Sequence, residues 1–127
     1  MTVVATMPKF THDWLVHELD PQLYRRAGVI VSGSGVLRTG TVLGKITASG
    51  KYAPLDPAAS NGAQNAAAIV LNLVDATAAD AETAILVGHA QIVPSELTWP
   101  AAADTTNERN AALAQLEALG IVSHQRL

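Results

Sequence analysis

The chain has 127 residues, a length typical of one domain with one hydrophobic core. It contains no Cys, which excludes disulfides, thiolate catalysis and Cys-ligated metals. The net charge is −3 and the eight Lys and Arg are scattered, whereas binding of nucleic acid by phosphate neutralisation requires a concentrated basic face.

The apolar part of the chain consists mainly of small side chains. Hydrophobic residues make up 49% of the sequence and aromatic residues only 4%, which favours closely packed β-ribbons over a deep, aromatic-walled pocket. No window reaches the roughly 20 apolar residues of a membrane span, and the first ten residues lack the features of a signal peptide. We therefore expect no membrane partner, and synthesis in a reducing cytoplasm.

The first 13 residues show no sustained period of 2 or 3.6, which predicts an extended, mobile arm. Apolar side chains on or next to such an arm have little else to bury them, so contact with a partner is expected. The candidates for this contact are Val3, Val4, Met7, Phe10, Trp14 and Leu15. A strand is predicted over residues 14–19, and it is broken at Asp20-Pro21 because proline disfavours helical backbone in the preceding residue.

Glycines punctuate the middle of the chain. A short buried strand is predicted at residues 29–31, followed by a loop at 32–35. Residues 41–47 and 51–55 are predicted to form a two-stranded ribbon, because Ser49-Gly50 is a turn signal between two short strands. Residues 56–64 then carry turn chemistry, in which Asn61-Gly62 is the strongest local signal.

The next predicted elements are strands separated by a loop. Residues 67–74 are compatible with a helix because of their alanines, but a short β-branched run between turn residues favours a strand. Residues 77–82 are predicted to be a loop, and strands are predicted at 83–88 and 91–93.

One helix is predicted, over residues 105–119. Asp104 is its predicted N-cap, and Gly120 occupies the position typical of a C-terminal glycine. Leucines recur every three residues and predict one stripe that faces the core, made of Leu113, Leu116 and Leu119. A terminal strand is predicted at residues 121–123.

Motifs for catalysis or cofactor binding are weak. Gly35 and Gly40 have the spacing of a phosphate loop, but Thr41-Val42 stands where Lys-Ser/Thr is required. The four His do not form a metal-binding motif, and no Ser lies in a nucleophile elbow. The carboxylates that could act as a general acid/base pair all lie in or beside predicted turns, and they are Asp56, Asp75, Asp80, Glu82, Glu96 and Asp104. We therefore expect no catalytic residue, no metal and no cofactor.

Several motifs follow one another between about Glu18 and Val122. They are the lead-in Tyr24-Arg25-Arg26, the ribbon Leu37-x-x-Gly-Thr-Val-Leu-Gly-Lys-Ile-Thr with Gly50-Lys51-Tyr52 through Pro54, the Asn61-Gly62 turn with its following strand, and Leu97-Thr98-Trp99-Pro100 with its helix. In order and spacing these motifs resemble the lambda-type bacteriophage head decoration protein D family. None of these motifs is specific alone, and it is their succession that carries the resemblance.

The resemblance implies a capsid cement protein of the virion, without enzymatic activity. Members of the family sit as homotrimers on the outer surface of an icosahedral head, over the threefold and quasi-threefold junctions of the major capsid protein, after shell expansion. It also implies a mainly β fold with one or two short helices, in which bent β-ribbons form a β-clip. On this basis residues 1–28 are predicted to be an extended capsid-binding arm and residues 29–127 the β-clip-like decoration domain.

Partners are then the major capsid protein and further copies of the chain. Pro54, Trp99 and Pro100 are candidates for trimer contacts, although core packing at the helix entrance is the alternative for Trp99-Pro100. Ordering a ten-residue arm costs about 10–20 kcal/mol in backbone entropy, so a partner must supply hydrogen bonds and burial. Addition of the arm as a strand to a sheet edge provides both, and three linked arms raise avidity by roughly 10²–10⁴.

Two alternative functions stay open. A virion-surface module that binds a host glycan would carry exposed aromatic side chains on its loops. A small trimeric β-clip enzyme, such as a nucleotide hydrolase, would need Asp residues and a Mg²⁺-phosphate site at its subunit contacts.

Overall fold

The computed structural model describes residues 14–123. The described residues form ten strands in three sheets, with one long helix, so the prediction of a mainly β fold is confirmed. The strands are β1 Leu15–Glu18, β2 Arg25–Ile30, β3 Gly35–Leu37, β4 Val42–Lys45, β5 Tyr52–Pro54, β6 Ala66–Val70, β7 Val74–Ala76, β8 Ala81–Leu86, β9 Ala90–Ile92 and β10 Ile121–Ser123. The helices are α1 Pro21–Tyr24 and α2 Thr106–Ala118, and a 3-10 turn spans Pro94–Glu96.

The largest sheet closes on itself in the order β2-β5-β4-β6-β8. β1, β9 and β10 form a three-stranded sheet, in which β9 is central and pairs antiparallel with β1 and parallel with β10. β3 and β7 form a separate antiparallel ribbon. Of the strands that begin within the first 28 residues, β1 pairs with β9 and β2 pairs with β8, so both are joined to the rest of the chain.

The predicted ribbon at residues 41–55 is present as the antiparallel pair β4 and β5. Leu43 lies opposite Pro54 and Lys45 opposite Tyr52. The turn closes where the Ile46 N–H donates to the Lys51 carbonyl at 2.8 Å, and Gly50 in this turn has φ +73°. Because a positive φ costs glycine little, the local sequence was sufficient to locate this turn.

Two apolar clusters lie on opposite faces of the closed sheet. Side chains alternate between them along a strand, so Val42 and Leu86 belong to the first cluster whereas Leu43 and Ile85 belong to the second. The first cluster also packs against α2 and the three-stranded sheet, and the second against the ribbon of β3 and β7. Burial on both faces explains why β6 reads as a continuous apolar run.

The prediction of a single strand over residues 67–74 is wrong. The run forms two strands, β6 and β7, which belong to different sheets and are separated by residues 71–73. The chain turns there with Asn72 exposed, and a polar side chain in an apolar run marks the point where the strand leaves the core. Two of the predicted loops are shorter than expected, since β3 starts at Gly35 and β8 starts at Ala81.

The long helix is present, but its predicted N-cap is wrong. The cap is Thr105 and not Asp104, and the Thr105 hydroxyl accepts a 3.2 Å hydrogen bond from the Glu108 N–H. The Glu108 carboxylate accepts from the Thr105 N–H at 3.3 Å, so the two residues form a capping box. Gly120 follows the helix with φ +86°, as predicted for its C-terminus.

The core-facing stripe of this helix is narrower than predicted. Leu116 is fully buried and Leu113 packs partly against the core, but Leu119 is more than one-third exposed. Ala112 is the other buried position of α2. Leu119 is the C-cap residue, and the chain turns away there before the helical stripe continues.

Candidate functional site

Trp14, where the described chain begins, is anchored inside the body. Its side chain is fully buried in the first apolar cluster. The indole Nε1–H donates to the Thr39 hydroxyl at 3.0 Å, and that hydroxyl donates to the Leu71 carbonyl at 2.7 Å. On the backbone, the Trp14 carbonyl accepts from the Val93 N–H at 2.8 Å. Residues far apart in the sequence thus fix the position of Trp14, the residue that follows residues 1–13, called here the leading segment.

The turn at Gly40 is shaped around the Trp14 indole. Gly40 has φ +88°, and a Cβ at this position would lie 2.9 Å from Trp14 Cδ1. The Gly40 carbonyl accepts from the Thr98 N–H at 2.9 Å, and Thr98 also bridges to Thr41. A side chain at residue 40 would therefore meet both an unfavourable backbone conformation and the indole ring.

The strand that follows the anchor is tied to the body at its far end as well. Leu15 lies opposite Ile92 of β9 and packs partly against the first cluster. Glu18 forms a bidentate ion pair with Arg25, with distances of 2.7 Å to Nε and 2.6 Å to Nη2. The hydrogen bond to Glu18 raises the pKa of the Arg25 guanidinium.

The predicted partner-contact residues fall into two groups. Val3, Val4, Met7 and Phe10 lie outside the described residues. Trp14 is enclosed by the chain's own core, so its side chain is not on a surface that a partner reaches. The expectation that little else would bury it overlooked Thr39, Gly40 and Leu71. Leu15 is half-buried beside the same cluster.

The predicted trimer-contact residues Pro54, Trp99 and Pro100 are half-buried. Pro54 and the Trp99-Pro100 pair both lie beside β4. Pro54 pairs with Leu43, while the carbonyl of Thr98, which precedes Trp99, accepts from the Val42 N–H at 3.3 Å. Trp99 packs partly against the first cluster, its Nε1–H donates to the Pro94 carbonyl at 3.3 Å, and Arg109 lies 5.7 Å from the ring centroid. Core packing thus accounts for part of the Trp99 surface, and the rest of it is open to solvent.

Two Asp side chains at the surface, Asp80 and Asp75, accept hydrogen bonds that hold loop residues. The Asp80 carboxylate accepts from Lys51 Nζ at 2.6 Å and from the Ser32 N–H at 2.7 Å, and these hydrogen bonds lower the pKa of Asp80. Hydrogen bonds from the Thr77 hydroxyl and N–H likewise lower the pKa of Asp75. Within residues 14–123 no three His, Asp or Glu side chains are grouped so as to hold a metal ion.

Two open depressions mark the described surface. One of about 410 Å³ lies over β2 and β8, between Arg25, Arg26 and Glu82, and one of about 360 Å³ lies near Lys45 and Asn65. Both are shallow, whereas ligand pockets typically enclose most of their ligand. None of the helices in the described part of the chain is long and apolar enough to cross a bilayer.

Fold and site together define a small β-rich body whose first described residue, Trp14, is buried in the core. The family model for bacteriophage lambda head decoration protein D matches residues 4–121, and the chain belongs to this family. A search among curated proteins gives no match. Its family makes the chain a structural protein of the bacteriophage virion that decorates the capsid. The motifs read along the sequence therefore identified the family.

Sequence reasoning missed one exposed feature. Val36 of β3 and Leu73, which precedes β7, are both large apolar side chains that face solvent. The predicted elements leave Val36 unassigned and place Leu73 inside a strand. The available signal for Val36 was Arg38, a charged side chain two residues later, which shares a face of a strand with Val36.

Proposed function

We propose that this chain is a cement protein that binds as a homotrimer to the outer surface of an expanded phage head. The sites would be the threefold and quasi-threefold junctions of the major capsid protein. The single observation that carries the proposal is the buried anchor at Trp14, which joins the leading segment to a rigid body at one fixed point. Membership of the decoration family gives the partner, which is the capsid.

In this proposal the leading segment is the part that docks on the shell. A segment held at a fixed root searches a smaller volume than one on a flexible linker, so less freedom is lost when it binds. Val3, Val4, Met7 and Phe10 supply its apolar side chains. Pairing of the segment with an exposed sheet edge of the capsid protein would satisfy its backbone hydrogen bonds.

Trimerisation would multiply the strength of a single docking event. Each arm alone binds weakly because its ordering costs about 1–2 kcal/mol per residue. Three arms on one rigid trimer act at a high effective concentration, which raises avidity by roughly 10²–10⁴. The half-buried Pro54, Trp99 and Pro100 border β4 and are the proposed trimer contacts, since Trp is enriched among interface anchors.

The proposed work of the protein is mechanical. It would clip neighbouring capsid subunits together against the pressure of packaged DNA, and no covalent bond would be made or broken. The proposal includes no cofactor and no nucleic-acid or membrane partner, and it places synthesis in the host cytoplasm before assembly on the virion.

Co-sedimentation with purified heads tests this function. The full chain and a variant lacking residues 2–13 are mixed with expanded, undecorated heads, and binding is measured over a concentration series. The full chain is expected to saturate the heads at three copies per threefold site, and the variant to bind at least 100-fold more weakly, as loss of a multivalent contact predicts. Undiminished binding by a truncated chain that retains its circular dichroism and oligomeric mass would contradict the role of the segment.

A further inference from the structure

The ribbon of β3 and β7 presents one apolar face to the core and a second face to solvent. In the paired register, Leu37 lies opposite Val74 and both side chains are buried in the second cluster. Val36 and Leu73 flank these residues and point away from the core, because successive side chains of a strand alternate. Val36 is 59% exposed and Leu73 is 68% exposed.

A cation lies on the same outward face. Arg38 follows Leu37, is exposed, and continues the alternation that places Val36 outward. Within residues 14–123, its guanidinium makes no ion pair and no side-chain hydrogen bond. Asp75, which pairs opposite Val36, is exposed, and its Oδ1 accepts from the Thr77 hydroxyl at 2.6 Å and from the Thr77 N–H at 3.0 Å. We call Val36, Arg38 and Leu73 the ribbon tip.

The ribbon tip adjoins the root of the leading segment. Thr39, which accepts the indole hydrogen bond of Trp14, is the residue after Arg38. Leu71, which accepts from Thr39, is two residues before Leu73. Since consecutive Cα atoms are about 3.8 Å apart, the Cα atoms of Arg38 and Leu73 lie within roughly 8 Å of those of Thr39 and Leu71, which hold the anchor.

We propose that the ribbon tip is a second contact with the capsid protein, close to the Trp14 anchor. This inference rests on the proposed function, which makes the capsid the partner of this part of the body. The chemistry of the tip predicts its partner, which is an apolar patch of the shell protein that carries a carboxylate opposite Arg38. Arg is enriched in protein interfaces and among the residues that contribute most to binding energy.

This second contact would orient each protomer on the shell. The leading segment by itself would fix where a protomer lies on the shell. A second contact close to Trp14 would also fix how the body is rotated there. The ribbon is suited to this, because Leu37, Val74 and Ala76 hold it against the second cluster and it cannot yield independently of the body.

Substitutions in the full chain, with the leading segment intact, test the contact. Leu73→Ser and Arg38→Glu are each expected to weaken binding to undecorated heads about 10-fold, and Arg38→Lys less than Arg38→Glu. Leu23→Ser is the matched control, since Leu23 is an apolar side chain 54% exposed on α1, beyond the far end of β1, and it is expected to leave binding unchanged. Equal binding by Leu73→Ser, Arg38→Glu and the unsubstituted chain would overturn the proposal.

Photocrosslinking identifies what covers the ribbon tip. Replacement of Leu73 by p-benzoylphenylalanine, followed by irradiation of decorated heads, is expected to give an adduct between this chain and the capsid protein. An adduct between two copies of this chain, or one within a single chain, would overturn the proposal. If the truncated chain fails to lose binding but the Leu73 adduct with the capsid protein forms, the docking role of the leading segment fails and the ribbon-tip contact stands.

Discussion

The Trp14 indole and the Thr39 hydroxyl meet at 3.0 Å inside the core, 25 residues apart in the sequence. Thr39 also donates to the Leu71 carbonyl, so one hydroxyl joins Trp14 to the segment that follows β3 and to the segment that precedes β7. An indole N–H that is removed from water requires an acceptor, and the cost of leaving it unpaired is what makes this contact specific.

Removal of the acceptor is expected to destabilise the protein while its overall fold is retained. Thr39→Val preserves the volume but leaves the buried indole N–H without this partner, at a cost of about 1–3 kcal/mol in the free energy of unfolding. Thr39→Ser keeps the hydroxyl and is expected to cost less. Urea denaturation followed by Trp fluorescence measures both variants, and equal loss in the two would show that the hydroxyl is not the relevant group.

Alanine substitutions at Gly40 and Gly50 form a matched pair that tests how closely Gly40 packs against the Trp14 indole. Both have positive φ, of +88° and +73°, but only Gly40 has Trp14 within 4 Å of its missing Cβ. Gly50→Ala should cost about 1–2 kcal/mol from backbone strain alone. Gly40→Ala should exceed it by about 1–3 kcal/mol because the new methyl group meets the ring at 2.9 Å. Thermal or urea unfolding compares them, and a cost for Gly40→Ala no larger than that for Gly50→Ala would contradict this account of the turn.

The capping box predicts which of two adjacent residues stabilises α2. Thr105→Ala is expected to lower the free energy of unfolding by about 1 kcal/mol, because the Glu108 N–H loses its acceptor. Asp104→Ala, one residue earlier, is expected to change it by no more than about 0.5 kcal/mol. Chemical denaturation measures the free energy of unfolding of both variants. A larger loss for Asp104→Ala than for Thr105→Ala would identify Asp104 as the cap.

The tie between Asp80 and Lys51 predicts a pH dependence of stability. Hydrogen bonds from Lys51 and Ser32 depress the pKa of Asp80 in the folded state, so this group stabilises the fold above its unfolded-state pKa. That contribution is lost as the pH falls through the folded-state pKa, where the carboxylate takes up a proton. Asp80→Asn is therefore expected to reduce the loss of stability between pH 6 and pH 2, and the difference should shrink at high salt because both groups are exposed. The free energy of unfolding of both proteins is measured over this pH range, and identical pH dependences would contradict the prediction.

Features set by short stretches of sequence could be predicted, and those set by distant contacts could not. The β4–β5 ribbon and the end of α2 follow from Gly50 and Gly120, whose backbone conformations are local properties. The burial of Trp14 depends on Thr39, Leu71 and Val93, and no periodicity around residue 14 reveals them. The division of the 67–74 run into two strands also depends on distant contacts, since β6 and β7 pair in different sheets, and Asn72 was the one local sign of the break.

A reconstruction of decorated heads by electron cryomicroscopy tests the central claim most directly, namely that the leading segment docks on the capsid from a fixed root at Trp14. The account predicts trimeric density on the outer surface at the threefold and quasi-threefold junctions. In it, residues 1–13 contact the capsid protein and Trp14 stays within its own body. Density of another symmetry, or a leading segment packed only against its own body while the protein is bound, would contradict the account.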